Sequence, residues 1–212
     1  MSEAEVRRPL SRRRVLEAAV GLADREGLEA LSMRRLGREL GVEAMSLYNH
    51  VPNKEALLDG MVEVLLSEME VSGNDKQGWE ERVREVFRSF RRLAHTHPDV
   101  FVLFAVRPSP TMSKVVWLLP AFLHALRGTG WEMRTSFRAF RVLSSYTIGY
   151  ALVEVHGSAP EPARDQTGIL GAAEEERIFE MVPILNGADR DAEFEFGLDL
   201  IFTGLRAELE RG

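Results

Sequence analysis

Gly41, Val42 and Glu43 are followed by Ala44, Met45, Ser46, Leu47, Tyr48, Asn49 and His50. That run of residue types can meet nucleic acid. Asn pairs with an adenine edge, Ser and Tyr donate to phosphate oxygens, and Met and Ala meet thymine methyl groups. Leu47 and Val51 fall on the other side and read as buried. The preceding segment, Met33 to Leu40, places Leu36 and Leu40 at i, i+4 spacing. A helix, a tight turn with Gly and a short second helix make the helix-turn-helix pattern. In it the second helix lies in the major groove and the first braces it. Bases are clustered nearby, with Arg12-Arg13-Arg14 and Arg34-Arg35 opening apolar-periodic segments.

The whole-chain charge points the other way. The 212 residues carry a formal charge of −6, and an acidic chain is a poor partner for phosphate. The average conceals an asymmetry. Met1 to Lys54 carries +2, so the remainder carries −8. The objection therefore applies to the larger part of the chain and not to the helix-turn-helix.

Helical periodicity runs almost throughout and strand alternation is nearly absent, which predicts an all-α fold of about ten helices. Ser11 caps a first helix to about Glu26, stopped by Gly27, and Ser32 caps a second that ends at Gly41. The reading helix is expected over Ala44 to His50, and Asn53 caps a fourth helix with Leu57, Leu58, Met61, Val62, Leu65 and Met69 on its apolar side. A loop over 71–78 leads to a helix from Trp79, broken at Pro98, and then to a short apolar piece over 99–105. Further helices are expected from Ser109 or Thr111 to about Arg127, over 132–156, over 172–181 and over 191–210, with a loop over 157–171. The division expected is a helix-turn-helix DNA-binding domain over 1–56 and a larger helical domain over 57–212.

Other chemistries find little support. The chain has no Cys, which removes disulfides, thiolate zinc sites and cysteine nucleophiles. HExxH, GxSxG, P-loop and paired Asp-rich motifs are absent, so no enzyme is expected. A helical enzyme or binding protein for an apolar small molecule stays as the alternative. His95 and His97 are i and i+2, a poor pair for chelation on a helix. Beside Pro98 they suggest a helix terminus where imidazoles meet free carbonyls. No metal and no cofactor are expected. The first residues carry no apolar run and the apolar stretches are shorter than a membrane span, so the expected location is the cytoplasm.

The segment from Leu10 to about Glu63 resembles the N-terminal domain of the TetR family of bacterial transcriptional repressors. Its most specific pieces are Gly27 with Leu31-Ser32, Leu40-Gly41-Val42, Leu47-Tyr48-Asn49-His50-Val51 and Asn53-Lys54-Glu55-Ala56-Leu57-Leu58. Ser144 to Tyr150, Phe194 to Ile201 and Arg107-Pro108 are similar to the core domain of the tetracycline-repressor branch. The resemblance implies a homodimer that binds a palindromic operator on double-stranded DNA and is released by a small molecule. It puts phosphate contacts on Arg12, Arg34 and Lys54, and the reading surface on Ala44, Met45, Ser46, Tyr48, Asn49 and His50. Ala44 stands where the tetracycline repressor has a base-reading Gln and Asn49 where it has an aromatic, so a different operator is implied.

That branch chelates a magnesium–drug complex through a His and a Glu. Counting along the same helices, Leu103 and Val153 stand in those places here. A largely apolar effector is expected instead, among Val86, Phe90, Phe101, Leu103, Phe104, Trp117, Phe137 and Tyr146, with Arg107 as polar anchor. For the dimer, Phe194, Leu198, Ile201, Phe202 and Leu205 form an apolar stripe continued by Leu209, and Ser144, Ser145 and Gly149 permit close helix approach.

Overall fold

Three side-chain caps start the first, second and fourth helices. Ser11 accepts from the Arg14 amide, Ser32 from Arg35 and Asn53 from Ala56, each satisfying an amide that the helix leaves without a partner. The resulting elements are α1 (Arg12–Glu26), a 3-10 turn (Leu28–Ala30), α2 (Met33–Leu40), α3 (Ala44–Leu47) and α4 (Lys54–Ser67). Then follow α5 (Trp79–Thr96), α6 (Pro98–Val106), α7 (Ser113–Ala125), α8 (Met133–His156) and α9 (Arg190–Leu209). This computed structural model describes residues 9–71, 76–106, 113–157, 176, 177, 180, 181, 187 and 189–209. Among them every regular element is helical, as expected. The start expected at Ser109 or Thr111, and most of the loop over 157–171 and the helix over 172–181, lie outside the described residues.

The described residues divide into two compact units, Met1–Glu132 and Met133–Gly212. Sequence reading puts a boundary at 56/57, inside the first turn of α4. Contacts keep α4 to α7 with the head, because α4 packs on α1 as well as on α6 and α7. Val15, Leu16, Ala19 and Leu22 of α1 are buried, as are Leu57, Leu58, Met61 and Leu65 of α4. At the crossing, a Cβ on Gly60 would stand 2.4 Å from Leu16 Cδ2, so glycine permits the approach.

In the rest of the first unit, α5 packs on both α6 and α7. Pro98 takes the first position of α6, where its missing amide costs no helical bond. Arg82 of α5 donates to the carbonyls of Ala125 and Arg127, both at 2.9 Å, and so caps the end of α7. Trp79 packs edge-on against Trp131 with ring centroids 4.9 Å apart.

In the second unit α8 packs on α9. Tyr146 stacks on Phe194 at 5.5 Å and donates its hydroxyl to the Phe194 carbonyl at 3.0 Å. Tyr150 donates to the Arg190 carbonyl at 2.7 Å. Gly197 admits the Tyr146 ring, since a Cβ there would fall 2.0 Å from its hydroxyl oxygen.

Overpacking a filled site costs about 1–3 kcal/mol. Gly60→Val is therefore expected to lower stability by about 2 kcal/mol in urea unfolding. The loss should shrink sharply in a Leu16→Ala background. Equal losses in both backgrounds would show that Leu16 is not what the added side chain meets.

Candidate nucleic-acid interface

Two glycines shape the turn that presents α3. Gly41 closes α2 in the left-handed region at φ 67°, where a side chain would be strained. Gly37 lies so close to the Val42 carbonyl that a Cβ would stand 2.9 Å from it. Together they let α3 fold back against α2. Leu47 and Val51 are buried beneath it, as expected.

The helix itself is shorter than its sequence suggests. Only Ala44–Leu47 is α-helical, and Tyr48, Asn49 and His50 continue as turns. The His50 and Val51 amides both reach the Leu47 carbonyl at 2.9 Å. Pro52 follows directly, and a residue before proline is pushed out of the helical region. Side chains face solvent all the same. Met45 is 74% exposed and Tyr48 41%, which is unusual for large apolar groups. Asn49 is exposed, while Ala44, Ser46 and His50 are half-buried. The Ser46 hydroxyl donates to the Glu43 carbonyl at 2.7 Å, so its proton is used locally.

The arginines around α3 sort into paired and unpaired groups. Arg35 bonds Glu39 at 3.0 Å and also Glu26. The hydrogen bond from Arg35 holds the Glu26 carboxyl below its usual range and lifts the guanidinium above its own. Arg25 pairs with Glu39 and Arg13 with Glu17, both at 2.6 Å. Arg12, expected on phosphate, is held by Glu63 of α4 at 2.8 Å, so a phosphate must displace that carboxylate. Arg34 and Lys54 are exposed and have no carboxylate partner among the described residues. Both therefore reach solvent as unneutralised cations, on α2 and at the start of α4.

The remaining expected residues fall in different places. Val86, Phe90, Phe101, Leu103 and Phe104 are all buried. Phe90 packs on Phe101 and Phe104 with centroids 5.2 and 4.9 Å apart, so these rings come together as a packed cluster. Phe137 is exposed in the second unit, and Tyr146 is engaged with α9. Arg107 and the side chain of Trp117 lie outside the described residues.

The apolar stripe of α9 needs correction. Phe194, Leu198 and Phe202 are fully covered by their own chain, and Ile201 and Leu205 are half-buried. The exposed apolar side chains of α9 are Phe196 and Leu200, each 60% accessible, which sequence reading missed. On α8, Ser145 and Gly149 are exposed and Ser144 is half-buried, its hydroxyl turned back to the Phe140 carbonyl.

His97 is also corrected. It caps the end of α5, as expected of a helix terminus, but its ring meets the Asp24 and Glu68 carboxylates rather than free carbonyls. Partners 73 and 29 residues away leave no local sequence signal. Among the described residues no group of three or more potential ligands could hold a metal ion, and no helix is long and apolar enough to cross a membrane.

Residues 15–61 match the family model of bacterial regulatory proteins of the tetR family, and residues 72–209 match the tetracyclin repressor-like C-terminal domain. The chain belongs to the TetR family. It is 32% identical to the class C tetracycline repressor protein of Escherichia coli over 203 residues, covering 92% of this chain and 90% of that protein. Among solved structures, apo ActR from Streptomyces coelicolor superposes with a TM-score of 0.77 at 32% identity, over 94% of this chain and 96% of that one. ActR in complex with actinorhodin superposes with a TM-score of 0.76, over 95% and 99% of the two chains. This TetR-family chain is accordingly a ligand-responsive transcriptional repressor and not an enzyme. Members of the family bind DNA operators and small-molecule effectors and act as dimers.

Neutralising a phosphate contributes a sequence-independent term to binding, with a salt slope of about one unit per contact. Lys54→Ala is expected to weaken binding to all duplexes about equally and to reduce that slope by about one. Fluorescence-anisotropy titrations at several salt concentrations check it. A changed base preference with an unchanged slope would place Lys54 on a base edge instead.

Proposed function

We propose that Met45, Tyr48 and Asn49 read base edges in the major groove, with Ala44, Ser46 and His50 completing the contact surface. Arg34, Lys54 and, after leaving Glu63, Arg12 bind the flanking phosphates. The exposure of Met45 and Tyr48 on a braced α3 carries this reading, because apolar side chains left in water on a rigid turn mark a docking face. The small positive balance of residues 1–54 makes non-specific attraction weak. Specific binding then depends on two heads acting together on a palindromic operator. Residues 1–56 form the DNA-binding domain in this reading and residues 57–212 carry effector and dimer functions, in the bacterial cytoplasm.

Phe196 and Leu200 of α9, with Ser145 and Gly149 of α8, form the dimer face. These residues are exposed in the single chain, whereas the buried stripe beside them already serves the subunit. A small molecule of largely apolar character releases the repressor from DNA. The phenylalanine cluster of α5 and α6 supports that reading, because it supplies apolar wall material where Leu103 replaces a metal-binding His of the tetracycline branch. Actinorhodin is the first compound to test, since ActR binds it.

Selection from a random duplex pool with the full-length protein tests the DNA reading directly. A palindromic sequence should enrich, and failure of any sequence to enrich would remove it. The dimer face has its own check. Phe196→Arg together with Leu200→Arg should convert the protein from dimer to monomer in sedimentation equilibrium, with helical content retained. An unchanged dimer would exclude this face.

A further inference from the structure

One imidazole in the first unit joins three parts of the fold. His97 lies between α5 and α6. Its amide bonds the Leu93 carbonyl and its own carbonyl accepts from the Phe101 amide, both at 2.9 Å. The backbone thus ties the end of α5 to the start of α6. The side chain reaches two other helices. Nδ1 lies 2.8 Å from Asp24 Oδ2, near the end of α1, and Nε2 lies 2.8 Å from Glu68 Oε2, at the C-cap of α4.

A carboxylate only accepts hydrogen bonds, and a neutral imidazole has a single N–H. Both contacts are good at once when the ring is the doubly protonated cation. Burial works against that charge. The hydrogen bonds to Glu68 and Asp24, and then their negative charges, outweigh it and hold the ring above the ordinary histidine value. The titratable residues beside it in sequence on α5 and α6 are His95 and Asp99. The Glu68 side chain is 44% exposed and borders a groove of about 470 Å³ between α1 and α4, also lined by Arg12, Arg13, Glu17 and Glu63.

Position makes this joint consequential. Arg12 begins α1 and Lys54 begins α4, while Asp24 and Glu68 sit at the other ends of the same helices. Leu16 and Gly60 touch between the two ends and form a fulcrum. At 1.5 Å rise per residue each helix is a lever of roughly 20 Å. About that fulcrum the arms to Arg12 and Lys54 are roughly 6 and 9 Å, so a tilt of about 10° moves those ends by roughly 1–2 Å, enough to break a hydrogen bond of ordinary length.

We propose that His97 is a positioning residue for DNA binding, whose protonated ring holds α1 and α4 to the α5–α6 corner and so sets the attitude of the phosphate-binding ends. This rests on the DNA-binding reading above. A group with a raised value stabilises the fold fully below the unfolded value near 6.5. That contribution is lost as pH rises through the higher folded value. The joint is closed in acid and loosened in alkali.

The test uses the full-length protein, as wild type, His97→Gln and His97→Arg, between pH 6 and pH 9. Thermal unfolding needs no DNA. The gap between wild type and His97→Gln should be widest at pH 6 and narrow towards pH 9, with the permanent cation of His97→Arg following neither trend. If His97→Arg does not fold, Glu68→Gln takes its place and should flatten the wild-type profile. The second readout is affinity for a duplex enriched at pH 6.5. Wild type should lose on the order of tenfold more affinity across the range than His97→Gln. His50 is present in both proteins, so any contribution from it cancels in that comparison. Parallel DNA profiles would overturn the positioning role even if the unfolding profiles diverge, because a purely structural ion pair predicts that result. Parallel unfolding profiles would overturn the cationic joint itself. Failure to enrich any duplex would defeat the DNA-binding reading, while unfolding still decides whether the joint exists.

Discussion

The contact of Leu16 with Gly60 is the constraint on which the reading head depends. A three-helix head of some forty residues buries too little surface to be stable alone. Here α4 supplies the missing wall, through Leu57, Leu58, Met61 and Leu65. It can do so because a glycine lets its backbone come down onto α1. The same helix also packs on α6 and α7. It therefore belongs at once to the surface that meets DNA and to the helices beyond it. A shift in α4 reaches Lys54 without any need for a flexible hinge.

Electrostatics then selects among many candidate bases. An acidic chain binds phosphate only if its cations are placed rather than numerous. Glu17, Glu26, Glu39 and Glu63 engage Arg13, Arg25, Arg35 and Arg12, and leave Arg34 and Lys54 uncommitted. Exposed pairs of this kind add little stability. Their larger effect is to lower background attraction to DNA, which favours the sequence readout proposed for Met45, Tyr48 and Asn49. The Arg12–Glu63 pair adds a second consequence, since it ties the start of α1 to the second half of α4.

Local signals were legible from the residues alone, and relations across the fold were not. The caps at Ser11, Ser32 and Asn53, the stops at Gly27 and Gly41, and the buried side of α3 follow from short-range rules, and all appear as expected. The length of α3 was overestimated because periodicity carries no account of the turns that precede Pro52. On α9 two apolar faces compete. Periodicity does not tell which one the chain covers itself, and Tyr146 decides it by stacking on Phe194. The phenylalanines of α5 and α6, expected at effector walls, also pack on one another, which residue types alone do not show. His97 stands at a helix end, as Pro98 beside it suggests, and only the folded chain brings the two carboxylates to its ring.

When two identical heads of this chain grip one palindromic duplex, their contacts must repeat with its symmetry. Hydroxyl-radical footprinting of the full-length protein on an enriched duplex tests it most directly. Two heads reading successive turns on one face predict two equivalent protected patches, related by the palindrome and about 34–36 Å, or one helical turn, apart. A single patch, or protection spread evenly along the duplex, would contradict it.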